Sequence, residues 1–151
     1  MSVYRKKHTK DGEMVRSITK KVLLVDDEPD FRKLVKEIIL DHFEAIIFES
    51  GDGVDAVSKL RHDDFSVVIT DLTMPRLSGI ELLKSIQTNQ NMYHIKMQSP
   101  QPKLIIMSAS IDAHVVENIN AKNKAKIRAF NKPFEINELV KELGPHLPAK
   151  K

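Results

Sequence analysis

The sequence predicts an α/β domain built on a doubly wound parallel sheet, and three observations predict it. Short apolar runs recur five times, the first of them continuously aliphatic, as a strand buried on both faces requires, and the third rich in β-branched residues. Segments with apolar residues at helical spacing lie between them, so each strand is followed by a helix. Acidic, hydroxyl and basic residues fall at the carboxyl ends of four of the five strands, the edge at which such sheets bind ligands.

Val22 to Val25 is the first aliphatic run. Pro29 opens the helix behind it, where its missing N–H does no harm, and Phe31, Leu34, Val35, Ile38 and Ile39 make one apolar stripe. Ala45 to Phe48 reads as the second strand, followed past Gly51 and Gly53 by a helix presenting Val54, Val57 and Leu60. Phe65 to Thr70 is the third strand, and a loop with Pro75 and Gly79 leads to a helix carrying Ile80, Leu83 and Ile86. Residues 88–102 are polar and read as a long loop inserted before the fourth strand, Leu104 to Met107. Val115, Val116 and Ile119 line the next helix, and Ile127 to Phe130 is a short fifth strand. Ile136, Leu139, Val140 and Leu143 face inward on a last helix closed by Gly144 and Pro145. Right-handed crossovers then give a flavodoxin-like sheet in the order 2-1-3-4-5 with helices on both faces.

Composition sets the outer bounds. The chain has 151 residues, 41% hydrophobic and 30% charged, which fits one globular domain. It has no cysteine, so disulfides and thiolate metal sites are excluded. No apolar run approaches the ~20 residues that cross a bilayer, and no signal-peptide pattern opens the chain, so the reading is cytoplasmic with no membrane contact. His8, His42, His62, His94, His114 and His146 are scattered, and Met74, Met92 and Met97 read as packing or loop residues. The net charge of +3 is uneven: residues 1–21 carry Arg5, Lys6, Lys7, Lys10, Arg16, Lys20 and Lys21 against Asp11 and Glu13, a balance of +5, leaving −2 for the rest. A basic arm of this kind can touch nucleic acid or another acidic surface, but with Tyr4 as its one aromatic residue it lacks a stacking platform. It is read as a flexible, solvated extension over 1–20, with the domain at 21–147, a tail at 148–151 and no nucleic acid expected as partner.

The strand ends carry the chemistry. Asp26 and Asp27 follow the first strand, Asp71 follows the third, Ser108 ends the fourth and Lys132 ends the fifth. Taken singly, each has a plain alternative: a helix cap for the Asp pair or Ser108, a turn residue for Asp71, surface charge for Lys132, core packing for Phe130. In the sheet order 2-1-3-4-5 the five site residues converge on one pocket. Carboxylates held close repel one another unless a cation neutralises them, and an all-oxygen set suits a hard ion such as Mg²⁺. A lysine ammonium and a serine hydroxyl complete the parts for stabilising phosphoryl transfer, and a carboxylate is itself a phosphoryl acceptor.

Four motifs, VLLVDDEPDFRKL (22–34), VVITDLTMPRLSGIELL (67–83), IIMSAS (105–110) and FNKPF (130–134), occur in the order found in response-regulator receiver domains, which the chain resembles over residues 20–147. The resemblance implies that Asp71 is the phosphoacceptor. Asp27 would ligate Mg²⁺ directly, Asp26 mainly through water, and Asp71 and the Thr73 backbone carbonyl would complete the protein ligands, with Mn²⁺ able to substitute. Ser108 would follow the phosphoryl group, Lys132 would pair with it, the Lys132–Pro133 bond would be cis, and Phe130 would be the aromatic switch that turns inward. It implies a stand-alone regulator that catalyses only its own phosphorylation and dephosphorylation, as a monomer or a phosphorylation-dependent dimer. The donor would be a sensor histidine kinase or a histidine phosphotransfer protein, and a downstream protein would dock on the face made by the fourth helix, fifth strand and fifth helix.

The sequence departs from the family in the length of 88–102, in the absence of a glycine from 120–126, and in Asn131 beside the lysine. Two other readings stand beside this one. A haloacid-dehalogenase-type hydrolase also uses a strand-end Asp but wants a second Asp two residues on, where this chain has Thr73. A pseudo-receiver would bind a partner without phosphorylation.

Overall fold

The computed structural model describes residues 4–8, 14–87, 93–95, 98, 100–122 and 127–151. A two-stranded antiparallel ribbon comes first, with β1 (Tyr4–His8) paired to β2 (Met14–Ile18). This ribbon falls within the basic segment, where the residue pattern had announced no regular element.

The sheet follows. Its strands are β3 (Lys21–Val25), β4 (Ile46–Ser50), β5 (Val67–Thr70), β6 (Lys103–Ser108) and β7 (Arg128–Asn131). All neighbours are parallel and the order is β4-β3-β5-β6-β7, the predicted 2-1-3-4-5. Between them run α1 (Pro29–His42), α2 (Gly53–His62), α3 (Gly79–Gln87) and α4 (Ala113–Lys122), and α5 (Ile136–Leu143) closes the domain. Side chains alternate across a strand, so β3 sends Leu23 and Val25 to one face and Val22 and Leu24 to the other. The first face packs under α2, α3 and α4, through residues such as Ala56, Leu82 and Ile119. The second packs under α1 and α5, through Val35, Ile39, Leu139 and Leu143.

Three residues assigned to apolar stripes are exposed: Leu34, Val54 and Ile136 each keep 46% of their surface open to solvent. Each sits at the border of its stripe. Burial selects Val35, Ile38 and Ile39 in α1, Ala56, Val57 and Leu60 in α2, and Leu139 and Leu143 in α5, with Val140 half-buried. Gly144 does not reverse the chain either: it keeps right-handed helical angles and its N–H bonds the Val140 carbonyl at 3.1 Å.

Of the polar stretch 88–102, residues 88–92, 96, 97 and 99 lie outside the described residues, and so do 123–126 of the stretch 120–126. What is described is anchored. Ile95 is buried in the core, and the Gln98 side-chain amide bonds both the N–H and the carbonyl of Phe65 at 3.0 Å. Asn120 makes the same kind of double bond to the backbone of Ile127, at 2.7 and 3.3 Å. The tail is also tied down: Ala149 bridges Phe43, the Glu44 N–H bonds the Pro148 carbonyl at 2.9 Å, and the Lys150 N–H bonds the His42 carbonyl at 2.9 Å.

Candidate functional site

The carboxyl edge of the sheet gathers the charged residues because parallel strands all end there. Asp26 follows β3 directly and Asp71 follows β5, and backbone bonds lock both into the sheet: Asp26 N–H to the Ser50 carbonyl at 3.1 Å, Asp71 N–H to the Val25 carbonyl at 3.0 Å. Both are buried, with 4% and 8% of their surfaces exposed. Burying two carboxylates is costly unless a cation meets them. Lys132 does so: its Nζ donates to Asp26 Oδ2 at 2.8 Å and to Asp71 Oδ2 at 3.2 Å, and it lies 4.0 Å above the Phe31 ring centroid. Burial alone would lower the Lys132 pKa. The hydrogen bond and charge of Asp26, then the charge of Asp71, outweigh it and hold the ammonium above its ordinary value.

Asp27 is exposed, yet one of its carboxylate oxygens belongs to a group of four, from Asp26, Asp27, Glu28 and Asp71, that lie within 4.8 Å of one another. Oxygen donors at this spacing can hold a metal ion. Thr73 also reaches the group, its N–H donating to Asp71 Oδ1 at 3.4 Å. The strand order brings four of the five strand-end residues, Asp26, Asp27, Asp71 and Lys132, into one group, with the Thr73 backbone beside them. The Lys132–Pro133 peptide is cis.

Ser108 ends β6 and is buried, and its carbonyl accepts from the Lys132 N–H at 2.9 Å. Its hydroxyl faces the Ser110 N–H at 3.5 Å, next to the α4 side of the sheet.

Phe130 requires a correction. As a switch it would enter space left by Ser108, but the two point to opposite faces. Along β6, Leu104 and Ile106 pack under α2, α3 and α4, while Ile105 and Met107 pack under α1 and α5, which puts Ser108 on the first face. Phe130 pairs in register with Met107, is buried in the α1–α5 layer, and meets the Phe134 ring at 6.4 Å. The β7 residue on the α4 side is Ala129. Period-two alternation carries this information, and reading β7 by that rule would have found it.

Two residues were missed at the site itself. Glu28 joins the acidic group, with its N–H on Asp26 Oδ1 at 2.9 Å and its carboxylate 3.9 Å from Lys132 Nζ. Its place directly after the Asp pair was the available signal. Arg32 donates from Nη1 to the Asp26 carbonyl at 2.5 Å and lies 3.5 Å from Glu49, and nothing in the sequence marked it out from other helix-surface arginines.

The chain matches the family model of the response regulator receiver domain over residues 22–144. Among curated proteins it is similar to chemotaxis protein CheY-3 of Vibrio cholerae, 30% identical over 131 residues, covering 87% of this chain and 94% of that protein. It is likewise similar to chemotaxis protein CheY of Thermotoga maritima, 34% identical over 126 residues, covering 83% and 95%. Among solved structures, the chemotaxis response regulator CheY4 of Vibrio cholerae superposes with a TM-score of 0.64 at 23% identity, over 85% of this chain and 99% of that one, which speaks for the fold.

Proposed function

The chain belongs to the response regulator receiver family of two-component signalling, and on that premise we propose that it accepts a phosphoryl group on Asp71 and signals through the resulting change of shape. The observation that carries the proposal is the meeting of the Asp26, Asp27 and Asp71 carboxylates with the Lys132 ammonium at one sheet edge. Family membership implies a kinase or phosphotransfer partner. In the proposed step an Asp71 carboxylate oxygen bonds the phosphorus of a phosphohistidine while the phosphorus–nitrogen bond breaks, and the imidazole leaves.

Asp26, Asp27, Asp71 and the Thr73 carbonyl would hold Mg²⁺, or Mn²⁺ in its place, whose charge offsets that of the phosphoryl oxygens. Lys132, already between Asp26 and Asp71, needs only a small movement to meet a phosphoryl oxygen. Ser108 offers its hydroxyl from the neighbouring strand end, on the side of the sheet that α4 covers. Movement there passes to α4 and β7 by way of Ala129 and Val115, which pack on the same cluster, and not by way of Phe130. The α4–β7–α5 face is then the docking surface for a downstream protein. No helix among the described residues is long and apolar enough to cross a membrane.

The test is intact mass after incubation with Mg²⁺ and a small phosphodonor. One added phosphoryl group, absent in Asp71→Asn and absent when the metal is chelated, is the expected result. Mass unchanged with every donor would favour a phosphorylation-independent adaptor. Continuous release of phosphate from many substrates would favour a hydrolase.

A further inference from the structure

The edge strand β4 places no side chain among the acidic group, yet the turn after it is built against the loop that follows Asp71. That loop, residues 72–78, is closed by the Gly79 N–H on the Leu72 carbonyl at 2.9 Å. Arg76 stands at its tip in the left-handed backbone region, φ 68°, which disfavours any side chain longer than glycine's hydrogen. Two contacts hold it there. Arg76 Nη2 forms a close ion pair with Asp52 Oδ2, and Gly53 lies so near Leu77 that a Cβ on it would come within 2.5 Å of the Leu77 carbonyl oxygen. Asp52 is not a free surface acid. It is the N-cap of α2, and its other oxygen accepts from the Asp55 N–H at 2.9 Å. That backbone bond and then Arg76 hold its carboxyl below the usual carboxylate range, so the pair stays charged through neutral and mildly acid pH.

We propose that Asp52 and Arg76 are positioning residues for the reaction at Asp71: a latch that ties the 72–78 loop to the start of α2 and so fixes the Thr73 backbone beside Asp71. The inference rests on the receiver reading, in which the Thr73 carbonyl faces the metal. A loop held at its tip presents that carbonyl in one place. A loop released from the latch samples several, and the metal binds the fraction that is competent. Because Arg76 is largely exposed, the pair itself is worth little to global stability. Its effect belongs in cation affinity.

The experiment uses the full chain and Mg²⁺ alone, followed by calorimetric titration. Arg76→Ala and Asp52→Asn, the second keeping an N-cap acceptor without the charge, should each weaken Mg²⁺ about three- to fivefold. The melting temperature without metal should stay close to that of the parent. Arg76→Lys should restore most of the affinity. Arg76→Gly relaxes the left-handed backbone while removing the ion pair, so it should lose affinity as Arg76→Ala does. At saturating Mg²⁺ the phosphorylation rate of all four should return toward the parent value, which a general loosening of the fold would not produce. Parent-like Mg²⁺ affinity in Arg76→Ala and Asp52→Asn would overturn the latch, and so would full affinity in Arg76→Gly, since backbone strain would then be the cause. If the parent chain itself bound no Mg²⁺, the receiver reading would fail first, and this proposal with it.

Discussion

At the scale of single residues, the site is a problem in charge. Four carboxylates and one ammonium share a few ångströms, and Lys132 reaches three of the carboxylates at 2.8, 3.2 and 3.9 Å. Asp27 has no such cation beside it among the described residues, so a bound divalent ion gains most from that side chain. Asp27→Ala should therefore abolish the rise in melting temperature that millimolar Mg²⁺ gives the parent, a stabilisation of about 1 kcal/mol at a few-fold excess over Kd. An undiminished rise would remove Asp27 from the metal site. Glu28→Gln keeps the backbone bond to Asp26 but takes one charge from the group, and should weaken the cation by roughly threefold in direct titration. His146 adds a pH dependence in the weakly acid range. Burial, then the charge of Lys103, lowers its pKa below the ordinary 6.5, while Glu142 pulls the other way. The unfolded chain thus takes up a proton first as pH falls, and stability declines from about pH 6.5 down toward the folded value. In His146→Gln, urea unfolding between pH 7 and 5.5 should show a shallower decline than the parent.

Among the elements, the connections decide more than the helices and strands do. Gly79 shows why: a Cβ there would stand 1.9 Å from the Asp71 carbonyl oxygen, with no flexible side chain to give way. Gly79→Ala should cost about 3 kcal/mol or more in chemical denaturation, and should displace Asp71 as well. A glycine at the start of a helix is visible in any sequence, but its contact partner is not. The tail tells the same story. Residues 148–151 read as an appendage, but Pro148, Ala149 and Lys150 close the gap after α1 with two backbone bonds, and Lys150 Nζ reaches the Leu40 carbonyl at 3.1 Å. Truncation after Leu147 should cost about 1–2 kcal/mol, seen as a fall of roughly 3–6 °C in melting temperature. No change would mean that water replaces those bonds without loss.

For the molecule as a whole, sheet order is what makes a site out of scattered residues. Asp26 and Lys132 are separated by 106 positions and meet because β3 and β7 end at the same edge. Legible along the chain were the five strands of the parallel sheet, the five helices, their alternation and the identity of Asp26, Asp27, Asp71, Ser108 and Lys132 as the residues at strand ends. Those features are periodic or local, written in 2.0 and 3.6 residue spacings and in turn residues. Packing between distant segments alone settles which border residues stay exposed, that Arg32 stands at the site, and that Asp52 holds Arg76. Those outcomes depend on what another segment brings within a few ångströms, and no local pattern along the chain encodes that distance.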